Sequence, residues 1–155
     1  MAIEDQAFLG AGQTNGVSIT LPATDDQAGY EALTFTNIAG ITDPGNIGGT
    51  APIATANPLD TDAVVKGVGQ FDYGSPTMMM LLLPGDAGQD LLKELYDGAN
   101  KRAAAAFERV YADGSKRYFK ARVASFEDQG TDANSFQMVS VQLAVTGRVL
   151  PVAAP

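Results

Sequence analysis

The clearest alternation of apolar and polar positions lies near the end of the chain. There Val139, Val141, Leu143 and Val145 point one way while Ser140, Gln142, Ala144 and Thr146 point the other. A period of two over such a run predicts a half-buried antiparallel strand, within Ser135–Leu150. The same reading gives a strand over Gly29–Ile41, with Ala32, Thr34 and Thr36 on one face and Leu33, Phe35 and Asn37 or Ile38 on the other. Ala63–Tyr73 reads as a strand interrupted by Gly67 and Gly69, Gly74-Ser75-Pro76 as a turn, and Thr77–Leu83 as a short buried strand. Between these, Thr42–Asp60 is rich in glycine and proline and poor in large side chains, which predicts a loop of about 19 residues. Asp128–Asn134 reads as a polar turn and Pro151–Pro155 as a short tail.

One segment switches to helical spacing. Asp86-Ala87-Gly88-Gln89 has the capping-box pattern, in which Asp86 accepts from first-turn amides and Gln89 reaches back. Leu91, Leu92, Leu95 and Ala99 then form an apolar stripe opposite Lys93, Glu94 and Asp97, with Gly98 as a left-handed terminator. The helix is expected over Asp86–Asn100. A hairpin follows, with Ala103–Ala112 and Ser115–Glu127 flanking Asp113-Gly114, the strongest short hairpin signal. The alanine run Ala103–Ala106 suits either the end of the helix or the start of the strand. Six or seven strands around one helix predict a mainly β chain, an antiparallel sandwich or barrel with the helix on its flank. No internal repeat is visible, and 1–155 reads as one domain.

Composition narrows the chemistry. The chain has 155 residues, 45% of them hydrophobic, enough for one core. It holds no cysteine and no histidine, which removes disulfides, thiolate and imidazole metal ligands and the commonest general base. Met1–Gly10 carries Glu4 and Asp5 where a secretory leader carries basic residues, and the longest apolar run, Met78–Leu83, is far short of the about 20 residues that span a membrane. The expectation is a soluble chain made in the cytosol, with no membrane partner. The net charge of −8 is lopsided: Met1–Thr77 holds nine acidic residues against Lys66 alone, and the remainder balances nine against nine. That sign disfavours attraction to nucleic acid.

The candidate motifs are weak. Gly10-Ala11-Gly12 lacks the strand and capped helix of a dinucleotide site, and Gly45-Asn46-Ile47-Gly48-Gly49-Thr50 lacks the lysine of a phosphate loop. Asp60 and Asp62 could meet a cation, but the glycine and distal glutamate of a calcium loop are missing, so a solvated loop is the plainer reading. No enzyme, metal or cofactor is expected. Lys116, Lys120 and Arg122 share a strand face with Tyr118, while Arg117 points away; with Glu108, Asp113 and Glu127 nearby, charge pairing across strands or subunits is favoured over single-stranded nucleic acid. In Met78-Met79-Met80, alternation sends Met79 to the face opposite its neighbours, either into the core or onto a subunit interface.

Strands first, a long Gly/Pro-rich segment, a capped helix at Asp86–Asn100, a charged hairpin at Asp113-Gly114 and a closing Val141-Gln142-Leu143-Ala144-Val145-Thr146-Gly147-Arg148-Val149 together resemble the major tail tube protein of long-tailed bacteriophages, particularly the non-contractile, siphophage kind. The opening Ala7-Phe8-Leu9-Gly10 is also similar. The resemblance implies a β-sandwich with a flanking helix, forming hexameric rings of itself that stack into a hollow tube. Sheets from six subunits would join into one lumen barrel through which DNA passes without specific binding. It also implies a tape-measure protein and tail-end proteins as partners, and a place in the virion tail. A terminator, gene-transfer or secretion-type tube of the same fold is the alternative. On this reading the assembly loop at 42–60 supplies Thr42, Asp43, Pro44, Asn46, Ile47, Ile53, Pro58, Leu59 and Asp60 to a neighbouring subunit or ring, and it would order only on assembly. Met79, Lys116, Lys120 and Arg122 are further interface candidates, and Glu31, Asp62 and Asp72 are candidates for an acidic lumen that repels the DNA backbone.

Overall fold

A computed structural model describes residues 10–155; the Ala7-Phe8-Leu9 opening lies outside them. The backbone is organised by a seven-stranded antiparallel sheet. Its strands are β1 (Thr14–Ser18), β2 (Thr36–Asn37), β3 (Ile41–Asp43), β6 (Thr77–Leu81), β7 (Ala105–Val110), β8 (Lys116–Asp128) and β9 (Met138–Val152), in the spatial order β2-β1-β7-β8-β9-β6-β3. Two further strands, β4 (Ile53–Ala56) and β5 (Val65–Val68), pair only with each other. Helix α1 spans Gln27–Glu31 and α2 spans Ala87–Asp97. The expected mainly β, antiparallel chain with a flanking helix is what forms, as one curled sheet, and α1 is an addition to it.

The period-two pattern decides which side is inside. Phe107, Phe119, Ala121, Val123, Val139, Val141, Leu143, Met78 and Met80 bury one face of the sheet against Leu92 and Leu95 of α2. Phe107 and Phe119 are direct cross-strand partners whose rings stack with centroids 5.4 Å apart. Each fully buried leucine of α2 contributes about 2 kcal/mol of apolar transfer. Asp86 caps α2 as expected, its carboxylate accepting from the Gln89 amide at 3.1 Å. Gln89 does not reach back. Its side chain is buried and donates to the carbonyls of Ala39 (3.0 Å) and Leu81 (2.8 Å) while accepting from the Leu83 amide at 3.2 Å. The helix is thereby pinned to the ends of two strands, so close to the Asn37–Ile38 backbone that a Cβ on Gly88 would lie 2.3 Å from the Asn37 carbonyl oxygen. Gly98 closes the helix in an extended rather than a left-handed conformation, leaving Ala99 exposed outside it.

The hairpin at Asp113-Gly114 forms as expected, with Gly114 at φ 91° and the Ser115 amide and hydroxyl donating to Asp113. Several expected boundaries move. Gly29–Ile41 is not one strand: Asp26 caps α1 by accepting from the Gly29 amide at 2.8 Å, and Tyr30 turns inward to stack on Tyr118 at 5.1 Å, so that only Thr36–Asn37 and, as the start of β3, Ile41 pair as strand. Tertiary burial of one aromatic outweighs a weak local alternation. Ser135–Leu150 instead begins at Met138 and runs on through Pro151 to Val152, so the supposed tail is partly strand. Pro151 is tolerated because β9 has only β8 beside it at that point. Thr42–Asp60 is not an irregular loop, since it opens on the end of β3 and holds β4, and Ala63–Tyr73 is strand only over Val65–Val68; β4 and β5 make the arm described next.

Candidate assembly surfaces

β4 and β5 form a hairpin arm, paired from Ile53 opposite Val68 to Ala56 opposite Val65, and every residue of both strands is exposed. Nearer its root, Thr50 bridges to Asp72 and the Gly69 amide donates to the Pro52 carbonyl at 2.8 Å. The arm buries nothing yet carries large apolar side chains: Ile53, Leu59, Val64, Val65, Val68 and Phe71 are between 52% and 106% exposed. A two-stranded hairpin alone is marginal in water. An apolar one with both edges open is a surface built for covering.

The root of the arm is held by a buried cation. Arg109 is 5% exposed and follows Phe107 on the inward-facing positions of β7. Its Nε donates to Asn15 Oδ1 at 3.1 Å, Nη1 to the Gly45 carbonyl at 3.0 Å and Nη2 to the Pro44 carbonyl at 2.7 Å. Burial lowers its pKa, opposed by the phenol of Tyr111 and the charge of Asp43. Gly45 has φ 76°, and a Cβ there would lie 2.7 Å from the Thr77 carbonyl oxygen. Sequence reading passed over Arg109. The available signal was its place two residues after Phe107, on the side of the strand that goes into the core.

The face of the sheet opposite the core is covered unevenly. Tyr30, Leu33 and Phe35 close over Ala106 and Tyr118. Burial pushes the Tyr30 and Tyr118 phenols up to about 12, with the carboxylates of Asp25 and Glu108 adding to it. Further along the same face, the register places Thr77, Met79, Ser140, Gln142, Ala144, Thr146, Lys120 and Arg122 side by side, all exposed or half-buried. Charge is sparse on this strip: Lys120 and Arg122 stand against Glu127, on a chain of net charge −8.

The sequence-derived candidates fall into separate groups. Thr42 and Asp43 lie on β3, where the Thr42 hydroxyl donates to the Met79 carbonyl at 3.2 Å and Asp43 accepts from the Gly45 amide at 2.9 Å. Pro44 is held by Arg109, Asn46 lies in a crevice with Ser75, Pro76 and Thr77, and Ile47 packs against the main core. Ile53, Pro58, Leu59 and Asp60 are on the arm, with Pro58 half-buried. Met79, Lys120 and Arg122 share the open face, where Arg122 also donates to the Arg102 carbonyl. Lys116 pairs instead with Glu108 on the neighbouring strand at 4.0 Å, a long, half-buried contact at the limit of an ion pair. Glu31 ends α1, Asp62 is on the arm, and Asp72 sits at its root accepting from the Gly74 amide, so no strand of the open face carries any of the three. Among the described residues no group of three or more acidic, histidine or cysteine side chains is placed to hold a metal ion.

The curled antiparallel sheet with a helix on one face is similar in fold to chains of several solved assemblies. A chain of the six-fold symmetrised anti-feeding prophage (AFP) baseplate superposes with TM-score 0.68 at 10% identity, over 93% of this chain and 95% of that one. The SPP1 tail tube gives TM-score 0.68 at 16% identity, over 95% of this chain and 80% of that one. The tail of an empty GTA particle, with C6 symmetry, gives 0.65 at 15% identity, over 95% and 100%. No protein-family model matches the chain, and no curated protein sequence does.

Proposed function

We propose that this chain is a non-enzymatic structural subunit whose copies, six to a ring, stack into the hollow tail tube of a siphophage-type virion. The observation that carries the reading is the arm, a paired hairpin of exposed apolar residues on a domain that otherwise has a complete core. Such a surface is satisfied when a second copy covers it. The solved structures of similar fold support the symmetry, since two of them are six-fold assemblies. An arm that leaves one copy for a different surface of the next is a heterologous contact, which generates open stacks rather than closed pairs.

In this arrangement Ile53, Pro58, Leu59 and Asp60 meet a neighbouring copy, and Thr42, Asp43, Pro44, Asn46 and Ile47 form the base from which the arm leaves. The open strip of Met79, Ser140, Gln142, Ala144, Thr146, Lys120 and Arg122 faces the lumen, in place of Glu31, Asp62 and Asp72. Most of these side chains are small and polar and give passing DNA no sequence-reading contact, while Lys120 and Arg122 stand against Glu127 and leave one net positive charge per copy toward its phosphates. A tape-measure protein and tail-end proteins complete the tail. A tube of an injection or gene-transfer particle is the second reading, favoured by the AFP and GTA likenesses.

Negative-stain electron microscopy of concentrated protein tests the reading. Hollow tubes with a regular axial repeat are expected. Dispersed particles at every concentration, even after seeding with sheared material, would count against it, and closed single rings would point to a terminator.

A further inference from the structure

Arg109 joins three parts of the chain that are far apart in sequence: β7, Asn15 on β1, and the Pro44-Gly45 peptide where the arm departs. A guanidinium is planar, and its donors form a rigid fork. With Nη1 and Nη2 bonded to two successive carbonyls, and Nε to a side chain of the sheet, the fork fixes the direction of that peptide relative to the sheet. The root is pressed home on its other side as well, where Gly45 has no room for a Cβ against Thr77. Among the described residues Arg109 makes no ion pair with a carboxylate; its buried charge is met by carbonyl and amide dipoles at the root itself, with the phenol of Tyr111 and the charge of Asp43 adding to them.

We infer that Arg109 is a positioning residue that aims the arm before a second copy arrives. This rests on the arm being the assembly element. Leverage is what makes the angle matter. From the root to Leu59 the chain extends by at most roughly 45 Å, so a swing of about 20° at the root moves the tip by up to about 15 Å. A stacked-ring contact tolerates far less. A pre-aimed arm also confines the ordering cost of assembly to side chains and the turn at the tip, which lowers the entropic cost of docking.

The absence of cysteine allows a direct test in the full chain. Spin labels at Leu59→Cys on the arm and Asp97→Cys at the end of α2, both exposed, report the arm direction in dilute, unassembled protein by dipolar electron spin resonance. The expected result is one narrow distance distribution, broadened at least about twofold by Arg109→Met, which keeps the aliphatic stem and removes the fork. Far-UV circular dichroism should stay unchanged, and tube formation should weaken at least about tenfold in critical concentration. Arg109→Lys, with three donors on a point charge, should not restore the narrow distribution. An equally narrow distribution in a folded Arg109→Met protein overturns the inference. Should Arg109→Met fail to fold, Gly45→Val decides, since its side chain meets the Thr77 backbone and displaces the peptide that Arg109 holds: broadening supports the clamp, and no broadening overturns it. Should the parent protein form no tubes, the assembly reading fails, while the distance measurement still decides whether Arg109 aims the arm.

Discussion

Ile53 and Val68 face each other across the arm and are 69% and 71% exposed in the single chain. If a neighbouring copy covers them, each gains close to the full transfer energy of an aliphatic side chain; if nothing does, they contribute almost nothing. Replacing both by threonine keeps the β-branch, and with it the strand preference, while exchanging apolar groups for hydroxyls. The change should leave the monomer within about 0.5 kcal/mol of the parent, as exposed substitutions do. It should remove about 1 kcal/mol of burial per site on assembly, and so about 2 kcal/mol per subunit. At about 1.4 kcal/mol per tenfold, the critical concentration for tubes should rise about 30-fold. Pelleting at graded protein concentrations, with electron microscopy of the pellets, reads that number; urea unfolding of dilute protein reads the other. A critical concentration within threefold of the parent would refute the idea that the arm is covered on assembly. A monomer destabilised by more than about 1 kcal/mol would show that the arm serves the fold instead.

Gln89→Leu removes three hydrogen bonds from a buried side chain and leaves the partners at Ala39, Leu81 and Leu83 unmet, so a loss of about 3 kcal/mol is expected in urea unfolding; a loss below 1 kcal/mol would mean that water replaces the amide at no cost. Tyr30 and Tyr118 hold their protons in the folded state up to about 12, against 10.0 for an ordinary phenol. Between those values the unfolded chain binds fewer protons than the folded one, so stability is full below pH 10.0, falls as pH climbs toward about 12, and should fall less steeply in a Tyr30→Phe/Tyr118→Phe protein. Equal slopes in the two proteins would contradict the burial of these phenols. For the lumen, Gln142→Cys should react with a bulky maleimide in dispersed protein and be shielded in tubes, while Asp97→Cys reacts in both; equal reaction of Gln142→Cys in the two states would place the open strip on the outside.

What sequence alone determined was whatever depends on near neighbours. The Asp86 cap of α2, the Asp113-Gly114 turn and the inward positions of β9 follow from spacings of two to four residues, and each is legible without knowing what it packs against. The flanking helix and the antiparallel architecture came with them. The tertiary structure decided the rest, because the partners lie far along the chain. Residues of the arm are exposed on both faces, so its pairing leaves no burial period to read, and glycine and proline suggested a loop where β4 runs, although β5 lies within a segment read as a strand. Helix α1 exists because Tyr30 finds Tyr118, a contact that outweighs a plausible strand pattern. Arg109 is buried because Asn15, Pro44 and Gly45 converge on it, whereas composition places an arginine at the surface. Charge shows the same limit. Counting acids locates charge along the chain, but only the register of β6, β8 and β9 shows which side chains share one open face.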